Sequence, residues 1–342
     1  MFSSYFRSAA TLLLLALSTS TFAAPVNSTT SEASATSRLY VLDQGSRGRV
    51  ISFNTAGKDE KVIYQGLTYP DGIAVDKAAG FIYVSIMGSA GRANNGSIIR
   101  MGLDGKGMTT LVAPGKTHTP KQLTLVEHDG QKKLYWGDRE GMKVMRCNIN
   151  GGDLEVVVDT AKLACPSRGA ATPACRYVVG VAVDSEKKMV YWTQKGSASA
   201  GDGSIHRAPL TMKAGEAADR RTDIVTLLSG LPEPIDLQWV SSTGTLYWTD
   251  RAEGADGEQS GVSRILIPSG ASIDQNQIKA TQTLLFGGLS QAIGLAVDVP
   301  GNKMWATDLG GNLIQSDLAG RNHVKINGDR RLGMLCGMEY VE

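Results

Sequence analysis

The chain has 342 residues, with 35 Lys and Arg against 33 Asp and Glu and a formal net charge of +2. Both signs are mixed along its whole length, so it builds no field that would make nucleic acid or an anionic membrane surface a principal partner.

The N-terminus reads first as a targeting segment. Phe2 to Arg7 carries one positive charge and is followed by the apolar run Ala9 to Leu17 and the small residues Thr21, Ala23 and Ala24. A membrane span needs roughly 18 to 20 apolar residues, so the pattern predicts a secretory signal over residues 1–24, and no later run is long enough to span. Residues 25–37 hold almost no large apolar side chain and are expected to form a flexible leader. Asn27-Ser28-Thr29 and Asn95-Gly96-Ser97 fit the N-glycosylation pattern, in keeping with passage through a eukaryotic secretory pathway.

From residue 38 onward the chain repeats itself. The copies are Leu39-Tyr40-Val41-Leu42-Asp43, IYVSI from Ile82, LYWGD from Leu134, VYWTQ from Val190, LYWTD from Leu246 and MWATD from Met304. Their aromatic second positions lie 43 to 58 residues apart, a period that belongs to propeller blades. Before several copies stands a short apolar strand, GIAVD at 72–76, GVAVD at 180–184 and GLAVD at 294–298, and after them come two further strands. The alternation has period two throughout, so little or no helix is expected. The first copy lacks an inner strand, and Gly337-Met338-Glu339-Tyr340-Val341 aligns with Gly294-Leu295-Ala296-Val297-Asp298. The expected fold is therefore all-β: a six-bladed β-propeller of four-stranded antiparallel blades over residues 38–342. The C-terminal strand closes the ring as the innermost strand of the first blade.

The six register-matched pentapeptides, with Leu-Tyr-Trp-Thr-Asp at 246–250 as the fullest, resemble the YWTD repeat of the low-density lipoprotein receptor family. Ile86 and Gln194 depart from the final Asp, and Ala306 from the Trp. The family's architecture implies that Asp43, Asp138, Asp250 and Asp308 are hydrogen-bonding ties rather than catalytic groups.

Four cysteines allow three full pairings. Cys165 and Cys175 share the insertion between the third and fourth blades and are expected to form a disulfide. Cys147 falls in the packing slot held elsewhere by Met101, Ala208, Ile265, Ser316 and Phe53, so a buried thiol is expected there. Cys336 opens the closing strand two blades away, which makes a bond between it and Cys147 geometrically difficult.

Ligands of propellers usually bind on the face where the loops lead into the inner strands. Alignment places Gly337, Gly72, Gln122, Gly180, Asp236 and Gly294 at one ring position, and Cys336, Asp71, Lys121, Val179, Ile235 and Ile293 one residue earlier. Gln122 and Asp236 put polar groups where four blades place glycine, and Asp71 and Lys121 are candidates for an ion pair between neighbouring blades. Asp71, His118, Lys121, Gln122 and Asp236 are thus the candidate catalytic set, with Tyr69, Met87, Met142, Arg176, Tyr177 and Gln291 as candidate substrate-binding residues. His118 is the one histidine of four on this face. No metal and no cofactor is expected, since no Cys/His spacing points to zinc and no phosphate loop, serine elbow or dinucleotide fingerprint occurs in a suitable setting.

Three functions follow from resemblance. The receptor likeness implies a propeller that binds a protein ligand. Other six-bladed propellers are calcium-dependent lactonases, but calcium wants six to eight oxygens and the ring offers Asp71, Gln122 and Asp236. The whole assembly of signal, sequons, loop disulfide and solitary propeller is similar to the secreted hetero-Diels-Alderases of fungal tropolone-sesquiterpenoid pathways. That resemblance implies small-molecule substrates: a hydroxymethyl tropolone dehydrated to a quinone methide, which then adds to a humulene-type alkene. We adopt it over the other two, with secretion as the expected destination.

Overall fold

In a computed structural model, residues 37–342 are described apart from Ser46, Ala90, 166–172, 253–258, 269–272 and 330–331. They belong to the compact unit Ala33–Glu342. The expected signal and leader, with Asn27, lie outside the described residues.

Six four-stranded antiparallel sheets account for the fold. Five blades take consecutive strands, beginning with the inner strands Pro70–Asp76, Pro120–His128, Val178–Asp184, Pro234–Val240 and Ala292–Asp298. The first blade takes its inner strand from the other end of the chain. Leu335–Val341 pairs antiparallel with Arg38–Asp43, bringing Tyr40 opposite Glu339 and Val41 opposite Met338. The chain end therefore occupies what would otherwise be an unpaired sheet edge.

The repeat residues pack between blades. Tyr83, Tyr135, Tyr191 and Trp305 are fully buried, as are Trp136, Trp192 and Trp248. Ala74, Tyr83 and Ile98 of the second blade share one cluster with Leu134, Trp136 and Cys147 of the third. Burying each such side chain contributes about 1.5–3 kcal/mol, so the blades are held face to face chiefly by their second and third strands. Cys147 lies opposite Leu134 in the expected packing slot, and it and Cys336 are free buried thiols. Cys165 and Cys175 are bonded, with Cα atoms 5.6 Å apart.

Among the described residues, one short α-helix and the 3-10 turns Pro173–Arg176 and Ala218–Arg220 depart from the all-strand pattern. Gln275–Ala280 is capped by the Asp274 side chain, which accepts from the Asn276 and Gln277 amides, and it buries Ile278. Among the described residues, no helix is long and apolar enough to cross a membrane.

Ring closure by the last strand gives a direct test. Removing residues 334–342 exposes the edge of Arg38–Asp43 and uncovers the inner strands of the second and sixth blades packed against the closing strand. The truncated chain is expected to lose the soluble monomer peak in size-exclusion chromatography. A truncated monomer with an unchanged melting temperature would contradict the closure.

Candidate functional site

The floor of the channel face is set by contacts between neighbouring inner strands. A Cβ on Gly72 would come within 2.4 Å of the Lys121 carbonyl oxygen, one on Gly180 within 2.2 Å of Ile235 O, one on Gly294 within 2.3 Å of Cys336 O and one on Gly337 within 2.3 Å of Asp71 O. Only glycine permits this approach. The repeat hydroxyl stitches the same seam. Ser85 Oγ accepts from Gly72 N at 2.7 Å and donates to Lys121 O at 2.7 Å. Thr193 joins Gly180 N to Ile235 O, Thr249 joins Asp236 N to Ile293 O, and Thr307 joins Gly294 N to Cys336 O. In the third blade the pattern is inverted: Gln122 replaces the ring glycine and Gly137 replaces the hydroxyl, lying against Val179 O.

The repeat carboxylates tie down the loops above this floor. Asp138 accepts from the His118 and Thr119 amides, Asp250 from Glu233 N, and Asp308 from Ser290 N and Asn312 N. Asp43 accepts from Gly45 N and from Arg49. In the fourth blade Gln194 takes over, donating to Cys175 O at 2.6 Å, so the disulfide-bonded insertion is anchored to the repeat.

One residue before the ring glycines, all six side chains are buried. Val179, Ile235, Ile293 and Cys336 belong to one continuous apolar cluster. Asp71 and Lys121 complete the circle as an ion pair of 2.5 Å, with Lys121 Nζ also 3.1 Å from Met87 Sδ and Gln122 Nε2 3.4 Å from Asp71 Oδ2. The floor thus has a charged sector in the second and third blades and an apolar sector in the other four. Burial holds the Lys121 ammonium below the ordinary lysine range, with Asp71 pulling the other way.

Asp71, Lys121, Gln122 and Met87 are brought together. Asp236 is turned toward the sixth blade, accepting from Leu295 N at 2.9 Å and from Leu237 N at 2.9 Å. His118 is half-buried, with Nδ1 3.0 Å from Thr119 Oγ1. Met142 and Arg176 are engaged with the insertion: Thr160 Oγ1 contacts both their carbonyls, and Arg176 Nε donates to Leu163 O at 2.8 Å. Tyr69, Tyr177 and Gln291 form a ring with Thr119, Glu233 and Met334, each accepting through its carbonyl from the residue that follows the second strand of its blade. Those donors are Met87, Lys195, Leu309, Arg139, Arg251 and Gln44. Lys195 and Gln44 lie outside the sequence-based candidates, although each directly follows the last residue of its pentapeptide. Lys195 and Arg251 both pair with the fully buried Glu233. Asn95 is exposed, and its Oδ1 accepts from Ser89 N and Oγ.

Further along the channel stands Glu339, also unforeseen. Burial pushes its carboxyl up to about 8, and the Asp236 charge adds to the shift. Asp236 itself is pushed up to about 7 by burial, against the two backbone N–H groups it accepts from. Asp250 is raised to about 7 by burial too, and burial lowers His206, stacked on Trp192, to about 4.

No family model matches the chain. It is 38% identical over 291 residues to the low-density lipoprotein receptor-related protein 1 of Pyricularia oryzae, covering 82% of this chain and 91% of that protein. It is 34% identical over 299 residues to a 3-hydroxyacyl-CoA dehydrogenase-like protein of Cochliobolus heterostrophus, spanning 84% of this chain but only 62% of that protein. Among solved structures it is similar to a chain of the nidogen/laminin complex, with a TM-score of 0.63 at 16% identity, covering 90% of this chain and 98% of that one. A gluconolactonase from Xanthomonas campestris gives 0.54 at 13% identity, covering 86% and 83%. Fold and floor define a six-bladed propeller with YWTD-type repeats. Within that class, the chain belongs to the family of the Pyricularia receptor-related protein.

The buried carboxyls raised by folding set a pH dependence. A carboxyl raised by folding contributes stability that is fully present below the ordinary carboxylate range and is lost as pH rises through its folded value. For Asp236, Asp250 and Glu339 that loss begins above the ordinary carboxylate range and is complete by about pH 7 to 8. His206 acts oppositely, its contribution being lost as pH falls from about 6.5 toward 4. The melting temperature is expected to fall from about pH 6 to pH 8 and to level off above it, and Glu339→Gln to remove roughly half of that fall. Parallel wild-type and variant curves would contradict the assignment.

Proposed function

We propose that the chain is a propeller enzyme of the hetero-Diels-Alderase kind, acting on small molecules held against the channel face. The observation that carries this reading is the division of the floor into a charged sector at Asp71, Lys121 and Gln122 and an apolar sector at Val179, Ile235, Ile293 and Cys336. The reaction asks for such a division, with oxygens of a hydroxymethyl tropolone on one side and an alkene on the other.

The chemistry balances as loss of water followed by addition. The hydroxymethyl oxygen takes a proton and leaves as water, the ring hydroxyl gives up its proton, and the quinone methide adds its carbon and oxygen termini across the alkene to close a dihydropyran. His118 is the proton donor in this reading: its Nε2 has no protein partner among the described residues, while Nδ1 rests on Thr119. Lys121 has three N–H donors, of which Asp71 and Met87 engage two. It holds a tropolone oxygen together with Gln122. Much of the acceleration comes from holding two reactants in register on a rigid floor, which needs no titrating group.

A protein-binding propeller is the second reading, favoured by the burial of Asp71 and Lys121 within the floor of the face. A metal-dependent lactonase lacks comparable support, because among the described residues no three His, Cys, Asp or Glu side chains come together as ligands. Secretion, and glycosylation at Asn95, belong to the same proposal.

Purified protein incubated with a hydroxymethyl tropolone and humulene is expected to give more adduct, of one stereochemistry, than the protein-free mixture. His118→Ala is expected to slow it about 100-fold or more with melting unchanged, the scale of a positioned acid. Equal yield and no stereochemical bias would favour the binding propeller.

A further inference from the structure

A groove opens on the channel face at the seam of the first and second blades. Gln44, Gly45, Leu67, Thr68, Tyr69 and Met334 line a space of about 390 Å³, at the lower end of the range of small-molecule sites. Tyr69 is its least expected member. Its backbone φ is 50°, in the left-handed region, although it is a bulky aromatic residue directly before Pro70. Of the six residues that hold this place in their blades, only Gln291 shares that conformation. A residue other than glycine keeps such a backbone only where its surroundings over-determine it, and here Tyr69 O accepts from Met87 N at 3.0 Å. The outcome is a ring 48% exposed, whereas Thr119 and Glu233 at equivalent places are fully buried. An aromatic side chain is thus held out of the packing, beside a concavity, at a cost in backbone strain.

The lining states what fits. It is more polar than apolar, yet none of the six residues is charged, so neither a phosphate or carboxylate nor an amine finds a counter-charge there. Thr68 is exposed, and its hydroxyl and that of Tyr69 have no protein partner among the described residues. Gln44 Nε2 donates to Pro70 O at 3.3 Å, which leaves its Oε1 to accept. The loop backbones are spent on one another: Gln44 N donates to Met334 O, Gly48 N to Gly45 O and Leu67 N to Gly48 O. The groove therefore offers a peptide strand no run of unpaired main-chain groups. A neutral ring with hydroxyls along its edge and carbon–hydrogen bonds on its face meets these terms. Its electropositive C–H groups sit against the electron-rich face of the tyrosine, and its hydroxyls both donate and accept.

We infer that this groove is a carbohydrate subsite, seating a neutral hexose unit of a glycan with its carbon–hydrogen face on the Tyr69 ring and its hydroxyls on Thr68 and Gln44. The assignment stands whether or not the chain catalyses the proposed addition. Saturation-transfer NMR of the full-length protein with the neutral disaccharides cellobiose, mannobiose and chitobiose is expected to show binding of at least one. Tyr69→Gly should weaken that binding about five- to tenfold with no loss in melting temperature, because glycine enters the left-handed region freely, while Tyr69→Trp retains it. Thr68→Ala should weaken it about threefold or more. A glycoprotein offered before and after enzymatic removal of its glycans separates the sources. Capture lost on deglycosylation assigns a glycoprotein glycan, and binding of the free saccharides without capture of the glycoprotein assigns a structural polysaccharide. A wild-type protein that binds none of the disaccharides at millimolar concentration would overturn the assignment, as would binding that Tyr69→Gly and Thr68→Ala both leave intact. Equal capture of the glycoprotein with and without its glycans would overturn it in favour of polypeptide recognition.

Discussion

Each blade of this propeller leans on the next at one carbonyl, that of the residue before the ring position, and the packing of the centre depends on how that carbonyl is met. In four seams a hydroxyl from the repeat, Ser85, Thr193, Thr249 or Thr307, donates to it while accepting an amide of its own blade. Such a buried bridge contributes about 1 kcal/mol net, and leaving its partners unmet costs about 1–3 kcal/mol. Glycine at the ring position lets three of these seams close to this distance, and in the Thr249 seam Asp236 holds that position. Where Gln122 stands instead, Gly137 has replaced the hydroxyl, so the room is made on the other strand.

That tight circle dictates the floor above it. With the strands drawn together, the six side chains one residue earlier have nowhere to go but against each other, and they fill the channel. Four are apolar and cohere as one cluster. The two that are not must neutralise one another, because an isolated buried charge is far more costly than a paired one. Gln122 then finds its partner in Asp71. The asymmetry between charged and apolar sectors is thus a packing outcome as well as the basis of the functional reading.

The blades, their order and the closing strand were legible because a propeller repeats its packing, and a repeated environment leaves repeated residues. Equivalences across blades were legible for the same reason: Asp71 with Lys121, the Asp ties, and Cys147 in its packing slot. What the repeat could not show is how side chains divide their loyalties. The Met142 carbonyl accepts from Thr160 and Arg176 Nε donates to Leu163 O, partners in an insertion whose sequence has no counterpart in the other blades. Whether Asp236 turned into the channel or toward Leu295 depended on backbone geometry that no pattern encodes. Glu339 carries no signal beyond the alternation of its strand, and Gln44, Lys195 and Met334 sit at strand exits and approaches whose residue types differ from blade to blade.

The central claim is that the charged sector of the floor, reached from the loop face, is where an oxygen-rich ligand sits. A crystal structure of the protein with a hydroxymethyl tropolone tests it most directly. The account predicts density between His118 and Lys121, with the floor backbone displaced by less than about 1 Å, as for a preformed site. Density at the Glu339 end of the channel, or a floor opened by separation of Asp71 from Lys121, would contradict it.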